Sequence, residues 1–118
     1  LDPEDRYGFG KKSEKAAAME KQRLMWEQFC QKYSGRISAE ETRAGREEAL
    51  QMLEKKDTLP PIRLKVAKYI SDGYVLERNL PKALEYLEIA RDADPESQAA
   101  KKLEPWIDNM RKHINQEK

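Results

Sequence analysis

The sequence predicts an all-α fold of about five antiparallel helices, and three observations support this prediction. Apolar residues recur at spacings of three, four and seven over most of the chain, as they do on one face of an α-helix. Proline and glycine fall mainly in short breaks between these periodic stretches. No stretch alternates apolar and polar residues over a useful length, so no β-sheet is expected.

Composition limits the classes of protein to consider. The chain has 118 residues, which is typical of one domain, and its charged share of 38% suits helices that bury only a narrow stripe. Its 23 Lys and Arg residues are interleaved with 22 Asp and Glu residues, so a nucleic-acid-binding face is not expected. No apolar run reaches the ~18 residues that would insert into a membrane. The chain does not begin with Met, which indicates processing or a longer parent protein, and its compartment stays open.

Residues 1–10 lack a period and are predicted to be a flexible tail, whereas residues 11–118 are predicted to form a single helical domain. Tyr7-Gly8-Phe9-Gly10 within the tail could be a docking motif. The first helix is expected from Lys11 to about Ser34, with Gly35 at its end. The predicted apolar face of this helix consists of Met19, Trp26, Phe29 and Tyr33, and it is flanked by Leu24, Met25 and Cys30. Cys30 is interpreted as a small buried residue, because a single cysteine forms no internal disulfide.

A second helix is predicted from a capping box at Ser38-Ala39-Glu40-Glu41 to about Lys56. Its apolar residues are Ala49, Leu50, Met52 and Leu53. Residues 57–61 end it, because two prolines follow one another there. Residues 11–57 would then form a first helix pair.

The third and fourth helices have the clearest boundary signals. Pro61 suits the first turn of the third helix, and Asn79 followed by Pro81 suits the start of the fourth. The predicted faces are Ile62, Val66, Ala67, Ile70 and Tyr74 on the third helix, and Leu80, Ala83, Leu84, Leu87 and Ala90 on the fourth.

A fifth helix is predicted to begin at Asp94-Pro95, by the same combination of a capping residue and proline. Pro105 is expected to kink this helix or to split it after about Lys102. The predicted apolar stripe is Ala99, Leu103, Trp106, Ile107, Met110 and Ile114.

The chain matches itself when it is shifted by 34 residues. Residues 47–54 then align with residues 81–88, with Ala, Leu, Leu and Glu coinciding, and Pro61 aligns with Pro95. A period of about 34 residues is typical of the tetratricopeptide repeat, and residues 60–94 resemble that family. The residues at the positions of its pattern are Ala67, Ile70, Ser71 and Tyr74 on one helix, and Ala83, Leu87 and Pro95 on and after the next. Gly73 to Ala83 is also similar to the linker of the related Sel1-like repeat.

The resemblance has departures and leaves an alternative fold open. Ala67 and Ser71 stand where the tetratricopeptide pattern has Trp and Gly, and the first helix is out of phase with the repeat. A plain antiparallel helical bundle is the alternative. In the repeat interpretation, the first pair (11–57) is divergent and residues 95–116 form a C-terminal capping helix.

The resemblance implies a non-catalytic module that binds a peptide or a helix of a partner protein on a concave surface. It places Lys65, Lys68, Asp72 and Val75 in that groove, with Ala99 and Leu103 on the next helix. Lys65 and Lys68 are one turn apart and could meet a carboxylate. The family's clamp for a C-terminal carboxylate is not expected, because Asp72 replaces its Asn. A mixed polar and apolar peptide is expected instead.

The alternative function is self-assembly, as a homodimer or scaffold, through apolar stripes near the two ends of the chain. The candidate interface residues are Trp26, Phe29, Tyr33, Trp106 and Met110. Enzymatic activity is not predicted, because His113 is the only histidine and no cofactor loop or metal-ligand spacing is present. An enzyme subunit that borrows residues from another chain is a third and weaker hypothesis.

Overall fold

The computed structural model describes residues 10–33 and 39–116 of the chain, and these residues form five α-helices. They are α1 (Gly10–Lys32), α2 (Ala39–Glu54), α3 (Pro60–Leu76), α4 (Leu80–Ala93) and α5 (Gln98–Gln116). No strand occurs in this described part, and the all-α prediction is confirmed. The chain divides into two compact units, Leu1–Ser34 and Gly35–Lys118. The single-domain assignment of residues 11–118 stays a prediction.

The first unit consists of α1. The helix begins at Gly10, which was expected to belong to the tail, and Tyr7 to Phe9 lie outside the described residues. Phe29 is buried, and its ring centroid lies 5.1 Å from that of Trp26 and 4.9 Å from that of Tyr33. These spacings of three and four residues place the three rings on one helical face, as predicted.

The prediction that Cys30 is buried was wrong, since its side chain is exposed. Cys30 follows Phe29 and therefore points about 100° around the helix from the buried Phe29 ring. The flanking residues Leu24 and Met25 are also exposed. The expected helix end at Gly35 and the capping residue Ser38 lie outside the described residues, as does the Glu41 side chain.

The second unit is a sequence of helices in which each packs against the next: α2 against α3, α3 against α4, and α4 against α5. Because α3 packs against both α2 and α4, it has buried residues on more than one side. Its buried residues include the predicted Ile62, Val66, Ala67 and Ile70, and in addition Leu64, Ser71 and Gly73. The core between α3, α4 and α5 contains Leu64, Ala67, Leu87, Ala90, Ala100, Leu103 and Ile107.

Small side chains allow α3 and α4 to approach closely. Ala67, Ala83 and Ala90 have no exposed surface. The Ser71 hydroxyl donates a hydrogen bond to the Ala83 carbonyl oxygen across this interface, at 2.6 Å. Ser71 is buried, so this bond gives its hydroxyl a hydrogen-bond partner within the core.

The connection between α3 and α4 combines a C-terminal motif of α3 with the N-cap of α4. Arg78 has a φ of 60°, and the backbone N–H groups of Arg78 and Asn79 donate to the carbonyl oxygens of Val75 and Tyr74, each at 2.9 Å. This pattern is a Schellman motif. The Asn79 side chain then accepts a hydrogen bond from the backbone N–H of Lys82, so Asn79 caps α4 as predicted.

α5 differs from the prediction at its start and at Pro105. The helix begins at Gln98, not at Pro95, and Ser97 caps it by accepting a hydrogen bond from the Ala100 N–H at 3.1 Å. The predicted split after Lys102 does not occur, and α5 continues through Pro105. Proline has no backbone N–H, so the Lys101 carbonyl lacks its donor from position 105 of the helix. Pro105 and Lys101 are both exposed, so water can donate to that carbonyl instead.

Candidate binding surface on α3 and α5

The predicted groove residues of α3 share one exposed side of the helix. Lys65, Asp72 and Val75 are exposed, and Lys68 is partly exposed. They are separated by three, four and three residues, which places them along one helical stripe. The core residues Ala67 and Ile70 point to other sides of the same helix. The structure thus places these four residues where a partner could reach them.

Trp106 of α5 lies against this stripe. The Lys68 ammonium is 5.5 Å from the centre of the Trp106 ring, and it also forms an ion pair with Asp72 at 3.1 Å. The ring itself is 58% exposed. Cation–π contact and the Asp72 carboxylate together hold the Lys68 side chain in place, and Lys68 in turn covers part of the ring.

An apolar depression lies beside the Trp106 ring. It is lined by Leu80 at the start of α4 and by Trp106, Asn109, Met110 and His113 of α5, and its volume is about 210 Å³. A second depression adjoins Trp106, lined by Pro105, Trp106 and Asn109. A volume of about 210 Å³ is below the range of about 300–1,000 Å³ typical of small-molecule pockets. The depression beside Leu80 therefore suits a single apolar side chain of a protein ligand better than a cofactor.

The exposed face of α5 around Trp106 contains no acidic residue. Positions three, four or seven residues from Trp106 share its face, and among the exposed ones are Lys102, Asn109 and His113. The acidic residues of α5, Glu104 and Asp108, are two positions away from Trp106 on either side and point to the opposite side of the helix. We call Lys65, Lys68, Asp72, Val75, Lys102, Trp106, Asn109, Met110 and His113 the α3–α5 surface.

The opposite side of α5 carries ion pairs to α4. Glu104 accepts from Arg91 at 3.3 Å, and Glu88 accepts from Arg111 at 3.2 Å. Arg91 also pairs with its neighbour Asp92, and its pKa is raised chiefly by the hydrogen bond to that carboxylate. The acidic groups on this side are therefore balanced by arginine within the unit.

The predicted apolar stripe of α5 is divided between core and surface. Ile107 is fully buried and Leu103 is nearly so, whereas Trp106 is exposed and Met110 is half-buried. The expectation that Leu103 lines the groove was wrong, because it packs in the core cluster with Leu64 and Leu87. Trp106 and Ile107 are adjacent in sequence and point about 100° apart, and Ile107 is the one that faces the core.

A cluster of aromatic and charged side chains connects α2, α3 and α4. The Arg46 guanidinium lies 4.4 Å from the centre of the Tyr74 ring, and this ring stacks on Tyr86 with centroids 5.7 Å apart. Arg46 also pairs with Glu77, and that hydrogen bond is the main reason why its pKa is raised. Burial raises the pKa of Tyr86. Because Arg46 is engaged by both Tyr74 and Glu77, we interpret this cluster as a connection between helices.

Three further observations on the described residues concern metal ions, His113 and membrane insertion. No group of three or more His, Cys, Asp or Glu side chains in the described part is arranged to hold a metal ion. His113 is exposed, and its Nδ1 lies 2.9 Å from the Asn109 carbonyl oxygen of the same helix. None of the five described helices has both the length and the apolar character needed to cross a membrane.

Sequence reasoning missed part of the α3–α5 surface and of the depression beside it. Lys102, Asn109 and His113 could have been found, because they lie four residues before and three and seven residues after Trp106. Leu80 could not have been found this way, because its position beside Met110 depends on how α4 and α5 pack.

Comparison of the chain with models of protein families, with curated proteins and with solved structures found no match in any of the three.

Proposed function

We propose that this chain is a non-catalytic protein-interaction module that binds a peptide or helix of a partner protein on the α3–α5 surface. The observation that carries this proposal is the exposure of Trp106 beside an apolar depression and the Lys68–Asp72 pair. Tryptophan is enriched among the residues that dominate binding energy at protein interfaces. A ring held against Lys68 is also partly pre-organised, which reduces the entropy lost on binding.

The helix order supports a short solenoid of the tetratricopeptide or Sel1-like kind as the scaffold for this surface. The 34-residue self-match relates Ala49 of α2 to Ala83 of α4, and both residues are fully buried. It also relates Leu53 to Leu87, which pack on the same core cluster. In such a scaffold α3 and α5 are the equivalent first helices of successive units, and the sides that they expose form the binding face.

Selection from a library of random peptides displayed on phage tests this proposal. Binding peptides should be recovered with the full chain, and their binding should be lost in Trp106→Ala. The matched control is Trp26→Ala, which removes the other tryptophan, in the first unit. The proposal would be contradicted if no peptide were recovered, or if the recovered peptides bound Trp106→Ala as well as the unchanged chain.

The exposed Trp106 also supports the alternative of self-assembly, and the solution mass separates the two. We expect light scattering to give the monomer mass at all concentrations. A dimer that dissociates on dilution, and that Trp106→Asp converts to a folded monomer, would favour self-assembly through this surface instead.

A further inference from the structure

The charges of the α3–α5 surface indicate the chemistry of its ligand. The two helical faces contribute three lysines, Lys65, Lys68 and Lys102, against one acidic residue, Asp72. Lys68 is the lysine that Asp72 neutralises. Lys65 and Lys102 have no ion-pair partner among the residues that the structure describes, and both are exposed.

This imbalance is local, because the chain as a whole has a formal net charge of only +1. The acidic residues of α5 lie on its other side, where Arg91 and Arg111 connect it to α4. Lys65 and Lys102 are therefore left without a counter-charge on the same side of the unit as the exposed Trp106. An electrostatic field of this sign attracts anionic groups, and it acts over a Debye length of about 8 Å at physiological ionic strength.

From these observations we infer that the α3–α5 surface binds an acidic peptide segment that carries one large apolar side chain. This inference rests on the proposed function and specifies its partner. The apolar side chain enters the depression between Leu80, Trp106 and Met110, and flanking carboxylates pair with Lys65 and Lys102. The Asp72 carboxylate repels a second carboxylate in the immediate surroundings of Lys68. The acidic residues of the ligand therefore flank its apolar side chain and are not directly adjacent to that side chain near Lys68.

The experiment uses three synthetic peptides of equal length with the same Phe anchor and no Trp. The flanking residues are Glu and Asp in the first, Gln and Asn in the second, and Lys and Arg in the third. Binding is followed by tryptophan fluorescence in a Trp26→Phe background, in which Trp106 is the only tryptophan. We expect the acidic peptide to bind most tightly, with an affinity that falls as the salt concentration rises.

Two double variants identify the lysines responsible. Lys65→Gln with Lys102→Gln removes the unpaired charges of the surface, and Lys101→Gln with Lys112→Gln removes the same charge from the other side of α5. For the first pair we expect a loss of affinity for the acidic peptide of about tenfold, from two exposed ion pairs. For the second pair we expect less than about a twofold change, because the charges are distant and screened.

The possible outcomes distinguish this inference from the proposed function. If the neutral or basic peptide binds at least as tightly as the acidic one and Trp106→Ala abolishes its binding, the acidic ligand is refuted and the binding surface stands. If none of the three peptides changes the Trp106 fluorescence, both proposals are refuted. Equal losses of affinity in the two lysine pairs would also refute the inference, as would a dimer that covers Trp106 in the absence of peptide.

Discussion

The division of α5 into a core side and a surface side predicts different effects at two adjacent residues, Trp106 and Ile107. Ile107 is fully buried within the α3–α4–α5 core. Replacing it by Ala removes buried methyl and methylene groups and leaves a cavity, which costs about 2–5 kcal/mol of unfolding free energy. Because Ile107 has no exposed surface, we expect a value of about 4 kcal/mol.

Trp106→Ala should cost much less, although Trp is the larger side chain. A fully buried Trp removes up to about 250 Å² from water, and the 58% exposure of Trp106 leaves on the order of 100 Å² covered. At about 25 cal/mol per Å² this area corresponds to at most about 2.5 kcal/mol. The compactness of the unfolded chain and the Cβ that Ala retains reduce the expected cost to about 1–2 kcal/mol.

Urea denaturation followed by circular dichroism measures both variants against the unchanged chain. The unfolding free energy of Ile107→Ala should fall by about 2–3 kcal/mol more than that of Trp106→Ala. Peptide binding should show the reverse order, because Trp106 contributes to the surface and Ile107 does not. A Trp106→Ala variant as unstable as Ile107→Ala would refute the assignment of Trp106 to the surface.

Three further predictions concern the stability of the second unit. Gly73→Ala should raise the unfolding free energy by about 0.5–1 kcal/mol, because a Cβ there would meet only the Thr42 Cγ2 at an ordinary 3.5 Å and alanine favours the helix; a loss of stability in urea denaturation would contradict this. Arg78→Gly should stabilise the chain by about 0.5–1 kcal/mol, since the φ of 60° is strained for any residue with a Cβ, whereas Arg78→Ala should change little. Burial raises the pKa of Tyr86 in the folded chain. The contribution of Tyr86 to stability is therefore fully present below pH 10.0, its unperturbed pKa, and is lost as the pH rises through the folded-state pKa. Tyr86→Phe should therefore make the alkaline decrease in unfolding free energy shallower, and an unchanged pH dependence would refute this assignment.

Local chemistry explains which helix boundaries the sequence predicted well. Pro61 and Pro81 restrict the backbone in the first turn of a helix, and Asn79 supplies an N-cap; α3 and α4 begin next to these residues, at Pro60 and Leu80. At the start of α5 the predicted capping residue is Asp94. Ser97 is the one that caps, and its hydroxyl also donates to the Asp94 carbonyl oxygen at 2.7 Å. The choice between Asp94 and Ser97 depends on the path of the connection from α4. The spacing of apolar residues along the sequence carries no information about that path.

The surface could be predicted only in part, for a similar reason. The resemblance to the tetratricopeptide repeat implied an accessible position for Lys65, Lys68, Asp72 and Val75, and all four side chains are at least partly exposed. Trp106 and Ile107 both continue the apolar period of α5, and the packing of α5 on α3 and α4 decides which one is buried. For Cys30, an apolar residue type suggested burial, but its angular position on α1 leaves it exposed.

The α3–α5 surface, with Trp106 within it, is the proposed binding site of an acidic peptide. The two tryptophans give two indole N–H signals in a nitrogen–proton correlation spectrum, one from each unit. Titration with the acidic Phe-containing peptide should shift the Trp106 signal progressively until saturation and leave the Trp26 signal in place. A titration in which the Trp106 signal does not move, or in which only the Trp26 signal moves, would contradict the account.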